Sequence, residues 1–219
     1  VPIMKKILVV YSGGLDSYTL LKKAIIENNV VQAVTFNYGQ KHAIEISYAE
    51  SVCKELNIKH EVIRLNLKDI LSQSSLVGNS EIPEGNYDKE KMKLTVVPNR
   101  NMVMISVAAS LAIRDKLDHL WYAAHSGDHE IYPDCRPEFI EKMAEVLSIC
   151  DYHKINLEAP FQDLSKAEII KVGLDMNLDY SKAWTCYEGK EKPCGKCSAC
   201  LERAASFQAN QAKDPLNEL

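Results

Sequence analysis

Short apolar stretches rich in β-branched residues recur along the chain, and each is followed by a loop and a longer stretch with helical spacing. These stretches predict strands at residues 7–10, 31–36, 61–65 and 119–123. Strands that alternate with helices favour a parallel sheet, because each crossover helix packs on one of its faces. We therefore predict an α/β protein with a Rossmann-like parallel sheet and helices on both faces.

Helical periodicity indicates three of the connecting helices. The first is predicted over residues 42–57, with a buried face made of Ile46, Ala49, Cys53 and Leu56. The second follows Asn99, with an inward face expected at Val103, Val107, Leu111 and Ala112. Ser165 and Glu168 form a capping box, so a third helix is expected from there to about Met176.

Three loops follow predicted strands and are candidates for a binding site. Ligands of parallel sheets lie at the carboxyl ends of the strands, so we expect the loops at 11–17, 37–42 and 124–136 to meet in one crevice. Residues 72–98 show no clear period. A long stretch of this kind is typical of a functional lid, and we expect it to be mobile without ligand.

Composition narrows the class of protein. The chain has 219 residues, of which 46% are hydrophobic, which suits one main domain with an appendage. A net charge of −4 gives no general attraction for polyanions, so a small partner is favoured over nucleic acid. The apolar runs are far shorter than the ~20 residues of a membrane span, and no signal-peptide pattern is seen. We expect a cytoplasmic protein without a membrane partner.

The sequence SGGLDS, residues 12–17, stands between the first strand and its helix. Gly13 and Gly14 let the backbone turn sharply and approach a ligand closely. A helix N-terminus offers unpaired N–H groups that suit a pyrophosphate, and Ser12 and Ser17 add hydroxyl donors. Neither the Walker lysine nor a G-x-G-x-x-G pattern is present. A tight turn capped by Ser or Asp is the alternative that these residues leave open.

Four of the seven cysteines are crowded near the end of the sequence, at Cys186, Cys194, Cys197 and Cys200. Four thiolates at this spacing suit tetrahedral Zn²⁺ in a closed structural site. An iron–sulfur cluster is the alternative, because cysteines three apart also bind such clusters. The other cysteines are scattered, and Cys135 is expected to be a buried free thiol.

Six segments together resemble the 7-cyano-7-deazaguanine synthase family of PP-loop ATP pyrophosphatases. They are SGGLDS, FNYGQKHAIEI, VVPNRNMVMISVAAS, YPDCRPEF, LSKAEII and TCYEGKEKPCGKCSACLER. SGGxDS is shared by the whole PP-loop superfamily, whereas the combination is specific to this family. The resemblance implies an adenine nucleotide alpha hydrolase-like domain over residues 4–180, a zinc-binding segment over 181–219, and a homodimer.

The same resemblance implies a ligase that uses ATP and ammonia to convert 7-carboxy-7-deazaguanine into 7-cyano-7-deazaguanine, a precursor of queuosine and archaeosine. The acid and then the amide are adenylated, with release of AMP and pyrophosphate. Zinc would be structural, and ATP would bind with Mg²⁺. Asp16 would help to hold the Mg²⁺, because a carboxylate beside a polyphosphate needs a cation between them.

Site residues follow from the matching motifs. The ATP-binding stretch would be Tyr11, Ser12, Gly13, Gly14, Leu15, Asp16, Ser17, Tyr18, Thr19, Leu20 and Leu21. The residues expected in catalysis are Ser12, Asp16, Ser17, Lys41 and Arg100, with the last two as phosphate-facing cations. The residues expected at the deazaguanine are Gln40, Tyr132, Asp134 and Arg136. There a carboxylate can accept from the guanidine-like edge and an arginine can pair with the substrate carboxylate.

Several alternatives stay open at this point. His125, Asp128 and His129 could form a second metal site, although we favour a substrate loop. A PP-loop tRNA sulfurtransferase would share the loop and the cysteines, but it would need a basic surface for RNA. A non-catalytic adenine-nucleotide-binding protein would not need the substrate segment or the cysteine cluster. A zinc-ribbon adaptor would explain residues 186–200 alone.

Overall fold

The structure, a computed structural model, describes residues 4–27, 29–67, 73–78, 81–82, 84–85 and 92–216. The strands within these ranges are β1 (Lys6–Val10), β2 (Val30–Asn37), β3 (Lys59–Arg64), β4 (His119–Trp121) and β5 (Asn156–Glu158). The α-helices are α1 (Leu15–Ile26), α2 (Ile44–Glu55), α3 (Arg100–Arg114), α4 (Pro137–Ile149), α5 (Lys166–Asp175) and α6 (Ser198–Ala209).

The five strands form one parallel sheet in the order β3-β2-β1-β4-β5. Ile7 of β1 lies opposite Val31 of β2 on one side and His119 of β4 on the other. The chain winds outward from β1 in both directions, so the sheet has a topological switch point between β1 and β4. The α/β prediction and its four strands are confirmed.

Helices cover both faces of the sheet, as predicted. Leu8 faces the core cluster that includes residues of α3 and α4, whereas Ile7 and Val9 face the cluster that includes residues of α1, α2 and α5. This alternation along β1 is the period of two that a strand buried on both faces requires. The capping box at the start of α5 is also confirmed, since both Ser165–Glu168 bonds form.

The inward face of α3 was predicted one residue out of phase. Ala112 is buried as expected, but Val103, Val107 and Leu111 lie at the margin of the core. The other buried positions are Met104, Ile105, Ala108 and Ala109. Three of the five buried residues of this helix are alanines, so hydrophobicity alone does not mark the buried face.

By length and composition, residues Lys93–Arg114 could cross a membrane. In the structure, α3 instead contacts β1 and β4 and contributes to the protein core. Such a core helix meets the same criteria as a membrane span, so this is weak support for membrane insertion.

The predicted lid at 72–98 is described only in part. Leu76, Val77 and Val97 are buried in the core, and Ser75 N donates to Leu94 O over 2.8 Å. These parts are therefore packed against the main domain rather than detached from it. Residues 72, 79–80, 83 and 86–91 of the predicted lid lie outside the described residues.

The C-terminal segment is attached to the main domain through buried polar contacts. Arg203 of α6 makes a buried bidentate ion pair with Asp214 and donates to the carbonyls of Tyr180 and Ala183. Trp184 N donates to Gly13 O over 3.0 Å, which joins this segment to the loop after β1. The boundary at residue 181 stays a prediction.

Candidate active site

A cavity of about 260 Å³ opens at the carboxyl ends of β1, β2 and β4. All three predicted loops contribute to it, which confirms that they converge. Its lining includes Tyr11, Ser12, Gly14, Leu15, Asp16, Ser17, Phe36, Tyr38, His42, Glu45, Arg100, Tyr122, His125, Asp128, Tyr132, Lys166, Trp184, Tyr187 and Glu202. The cavity lies at the switch point of the sheet, where open α/β proteins bind their ligands.

Gly13 has a different role from the one predicted. It has a φ of +91°, and a Cβ there would lie 2.1 Å from the backbone oxygen of Glu45. Gly13 is itself buried and does not line the cavity. Glycine is therefore required because the first turn of α2 rests on the loop, and not because a ligand approaches Gly13.

The loop after β1 is held in shape by its own hydrogen bonds. Ser12 N donates to Ser17 Oγ over 3.2 Å, and the two hydroxyl oxygens lie 3.0 Å apart. Ser17 Oγ donates to Gly14 O, and Gly14 N donates to Ser12 Oγ. The amide of Gly14 is thus already paired within the loop.

The second half of the predicted ATP-binding stretch does not reach the cavity. Tyr18, Thr19, Leu20 and Leu21 are buried in the core, because the α-helix turns their side chains away from the loop. The hydroxyl of Thr19 lies 2.8 Å from that of Tyr180. The predicted residues that do line the cavity are Tyr11, Ser12, Gly14, Leu15, Asp16 and Ser17.

Asp16 forms a buried ion pair that sequence reasoning missed. Lys166 Nζ, at the first residue of α5, donates to Asp16 Oδ2 over 2.6 Å. Burial alone would raise the pKa of Asp16, but Lys166 and His125 more than offset it, so the pKa lies below its usual value. Asp16 Oδ1 is buried and has no hydrogen-bond partner among the described residues. The pair therefore offers a cation and an available carboxylate oxygen.

Further titratable groups surround this pair. Glu202 Oε2 lies 3.6 Å from Lys166 Nζ, and His125 Nε2 lies 3.3 Å from Asp128 Oδ2. Burial and then Lys166 lower the pKa of His125, so the ring is neutral near pH 7. Burial raises the pKa of Asp128. The described residues place His125, Asp128 and His129 in no metal-ligand cluster.

Arg100 and Tyr132 occupy another part of the cavity wall. Arg100 Nη1 donates to the Tyr38 hydroxyl over 3.3 Å, and the Tyr132 hydroxyl lies 2.7 Å from Thr95 Oγ1. Burial opposes the charge of Arg100, but Tyr38, Cys135 and Asp134 together outweigh it and raise the pKa of the guanidinium. Arg100 is thus a permanent cation inside the cavity.

Four of the residues predicted for catalysis or substrate binding also lie outside the cavity lining. Lys41 is exposed, and Gln40 is buried in the turn after β2, where Nε2 donates to Phe36 O. Asp134 Oδ2 accepts from the backbone N–H of Asn101 over 2.9 Å, at the start of α3. The exposed Arg136 donates through Nε to His129 O. The side chains of these four residues do not reach the cavity that their motif neighbours line. The sequence does not specify side-chain direction, so it could not distinguish them.

Two sequence signals could have found Lys166 and Glu45. A lysine at the first position of a helix is unfavourable for the helix dipole, so Lys166 directly after the Ser165 cap points to another role. It was missed because β5 has only three residues and the loop after it was not recognised as a strand end. Glu45 lies one turn after the GQKH segment, but its burial depends on how α2 packs on the loop.

The four cysteines meet in one cluster, as predicted. Their sulfur atoms lie within 4.8 Å of one another, and Cys194 Sγ is 4.0 Å from Cys200 Sγ. Zn–S bonds of about 2.3 Å at tetrahedral angles place sulfurs about 3.8 Å apart. Backbone N–H groups of Cys194 and Cys197 donate to Cys186 Sγ and Cys194 Sγ, as expected for thiolates. The cluster therefore fits a zinc ion with four protein ligands.

The parallel sheet, its switch-point cavity and the SGGLDS loop define an adenine nucleotide alpha hydrolase-like protein of the PP-loop class. Two solved structures share this fold at low sequence identity. NMN synthetase from Francisella tularensis matches with a TM-score of 0.52 and 12% identity over 96% of this chain and 79% of that one. A predicted tRNA methyltransferase subunit from Methanocaldococcus jannaschii matches with a TM-score of 0.50 and 16% identity, over 97% and 90%.

Sequence relatives identify the family. The model of the queuosine biosynthesis protein QueC matches residues 6–211. The 7-cyano-7-deazaguanine synthase of Marinomonas sp. (strain MWYL1) is 51% identical over 97% of both chains. That of Pseudoalteromonas atlantica is 48% identical over 97% of this chain and 98% of its own. The chain belongs to the 7-cyano-7-deazaguanine synthase family, whose members are ligases of queuosine biosynthesis, and this confirms the resemblance seen in its motifs.

Proposed function

We propose that this chain makes 7-cyano-7-deazaguanine from 7-carboxy-7-deazaguanine, ammonia and ATP, and that it splits ATP to AMP and pyrophosphate. The observation that supports this most is the buried Lys166–Asp16 pair beside the SGGLDS loop. A cation, an available carboxylate oxygen and a helix N-terminus in one cavity suit a polyphosphate with its Mg²⁺. Family membership supports the choice of the acid and ammonia as co-substrates.

The reaction uses two ATP molecules in the same way. A carboxylate oxygen of the acid attacks the α-phosphorus of ATP, and the bond from that phosphorus to pyrophosphate breaks. Ammonia then attacks the acyl carbon, loses a proton and displaces AMP, which leaves an amide. In the same way, the amide oxygen attacks the α-phosphorus of a second ATP and displaces pyrophosphate. Loss of AMP and of two N–H protons from this intermediate then gives the nitrile.

The residues of the loop side act on the leaving group. Lys166 neutralises negative charge on the departing pyrophosphate. Asp16 Oδ1 is the atom that would hold Mg²⁺, and the bound ion would neutralise further negative charge. Ser12, which is exposed at the N-terminus of α1, is the hydroxyl that can turn toward the phosphates, whereas Ser17 Oγ donates to Gly14 O and holds the loop in shape. Because the loop is already ordered by its own hydrogen bonds, little reorganisation is needed on binding.

Arg100 lines the same cavity and would act on the reacting groups as a second cation. It lies at the first residue of α3, where Asp134 accepts from Asn101 N and fixes the start of the helix. Asp134 is therefore a positioning residue for Arg100 rather than a direct ligand of the base. Tyr132, which lines the cavity, remains on the substrate side. Lys41, Gln40 and Arg136 have no role in this mechanism.

Mass spectrometry of the product formed from the acid, ammonia and ATP, without tRNA, tests the proposal. We expect a nitrile, with AMP and pyrophosphate, and no product when ammonia is omitted. A thionucleoside formed only with tRNA would instead support the sulfurtransferase, and binding of ATP without AMP formation would support a nucleotide sensor. The homodimer and the cytoplasmic location stay predictions.

A further inference from the structure

Glu45 is a buried acid in the cavity wall that the mechanism does not use. It lies in the first turn of α2 with 9% of its surface exposed. Its backbone oxygen contacts the position of Gly13, so the loop fixes where this turn stands. The position of Glu45 relative to the nucleotide loop is therefore set by the backbone.

The neighbours of Glu45 do not neutralise its charge. Gln40 Nε2 lies 3.3 Å and His42 Nε2 lies 3.5 Å from Glu45 Oε1. Burial, followed by the nearby Arg100, lowers the pKa of His42 to about 4, so this ring is neutral near pH 7. Among the described residues, no lysine or arginine nitrogen lies within 4 Å of the carboxyl group. Burial raises the pKa of Glu45 to about 8, although Gln40 and Arg100 counteract part of this shift.

The other acids that line the cavity belong to a separate group. Asp16 and Glu202 both face Lys166, and Asp128 lies beside His125. Glu45 instead shares the wall with Phe36, Tyr38 and Tyr187, whose rings offer flat apolar surface. An acid without an ion pair, next to aromatic surface, suits a planar ligand that carries N–H donors.

We propose that Glu45 is a specificity-determining residue whose carboxyl group accepts hydrogen bonds from the N–H groups of a purine-like ring in the cavity. This inference rests on the proposed function, which brings two such rings to the site. Adenine presents an exocyclic amino group beside a ring nitrogen, and 7-deazaguanine presents a ring N–H beside an exocyclic amino group. A protonated carboxyl group can pair with the adenine edge, because it accepts from the amino group and donates to the ring nitrogen. A carboxylate can pair with the 7-deazaguanine edge, because it accepts from both N–H groups.

Analogues that lack one amino group separate the two rings. The first pair of ligands is ATP and purine riboside triphosphate, which lacks the 6-amino group of adenine. The second pair is 7-carboxy-7-deazaguanine and its 2-deamino analogue. Dissociation constants of all four are measured for the wild type, for Glu45→Met and for Glu50→Met. Glu50 lies on the same helix but is exposed, and it serves as the matched control.

We expect the wild type and Glu50→Met to bind one parent on the order of 10- to 100-fold more tightly than its deaminated analogue. Glu45→Met, which has neither donor nor acceptor, should lose this preference by weakening the parent, while the deaminated analogue and the other pair bind as before. The pair that loses its preference identifies the ring at Glu45. A purely structural role would weaken all four ligands alike.

Unchanged preferences in Glu45→Met, or no preference in the wild type, would overturn the inference. If Glu45→Met does not fold, as judged by circular dichroism and zinc content, Glu45→Asp replaces it and should reduce the preference without abolishing it. Failure of the wild type to convert the acid would refute the proposed function. The comparison of ATP with purine riboside triphosphate would still test the role of Glu45.

Discussion

At the scale of residues, the site depends on groups whose charges are set by burial. Lys166 and Asp16 pair inside the cavity, and each keeps its charge because the other lies 2.6 Å away. Asp16 was predicted from the SGGLDS motif, whereas Lys166 was not predicted. A motif can identify a residue that follows a strand, but only the packing of α5 against α1 brings residues 150 positions apart into contact.

Replacing Lys166 with Met should lower kcat by about 100- to 1000-fold, because one preorganised cation at the leaving group is lost. Lys166→Arg should retain part of the activity, since the charge remains. Lys171→Met, in the same helix but exposed, is the control. Steady-state rates of pyrophosphate release measure the effect. Normal rates for Lys166→Met would remove this residue from the mechanism.

Glu45 should make stability depend on pH. Its pKa is about 8 in the folded protein and near 4.5 in the unfolded chain, so the folded state binds more protons between these values. The free energy of unfolding of the wild type should therefore fall, relative to that of Glu45→Gln, as pH rises from 5 to 8. Urea unfolding of both proteins with zinc bound tests this. A difference that stays constant with pH would show that Glu45 has an ordinary pKa.

At the scale of elements, the loop after β1 and the first turn of α2 form one unit. The periodicity of α2 could be predicted, because its apolar residues recur at helical spacing. The contact between Gly13 and Glu45 O could not, because glycine conformation depends on which helix lies nearby. The buried face of α3 was assigned one residue out of phase because Val and Leu are more hydrophobic than Ala, yet three of its five buried residues are alanines.

Gly13→Ala should displace the first turn of α2 and weaken the binding of ATP and of the purine-like ring together. Its Cβ would meet a backbone oxygen at 2.1 Å, which no rotamer change can relieve. Gly85→Ala is the matched control, because its φ is also positive but its Cβ would meet no atom of the described chain within 4 Å. Thermal unfolding and ATP binding are the measurements. Equal effects of the two substitutions would contradict the proposed contact.

At the scale of the whole molecule, the cysteine cluster and the nucleotide loop are connected by Trp184. Its indole N–H donates to Cys186 O over 2.8 Å, and its backbone N–H donates to Gly13 O. The cysteine spacing predicted a zinc site, but nothing in the sequence indicated that the residue two before Cys186 supports the loop. We therefore expect loss of the metal to affect the nucleotide loop as well as stability.

Cys197→Ser should lose zinc, stability and ATP affinity together, because the support of Trp184 is lost with the metal. Cys150→Ser, at an exposed free cysteine, should change none of them. Elemental analysis should find one zinc per wild-type chain. Iron with visible absorbance would contradict the zinc assignment, and normal ATP affinity in metal-free protein would contradict the connection through Trp184.

The central claim is that the cavity at the SGGLDS loop activates a substrate oxygen by attack on the α-phosphorus of ATP. The most direct measurement uses 7-carboxy-7-deazaguanine with ¹⁸O in both carboxylate oxygens, followed by mass spectrometry of AMP. Each AMP should carry one ¹⁸O, since one oxygen leaves in each half-reaction. Unlabelled AMP, or label in inorganic phosphate alongside ADP, would contradict the account.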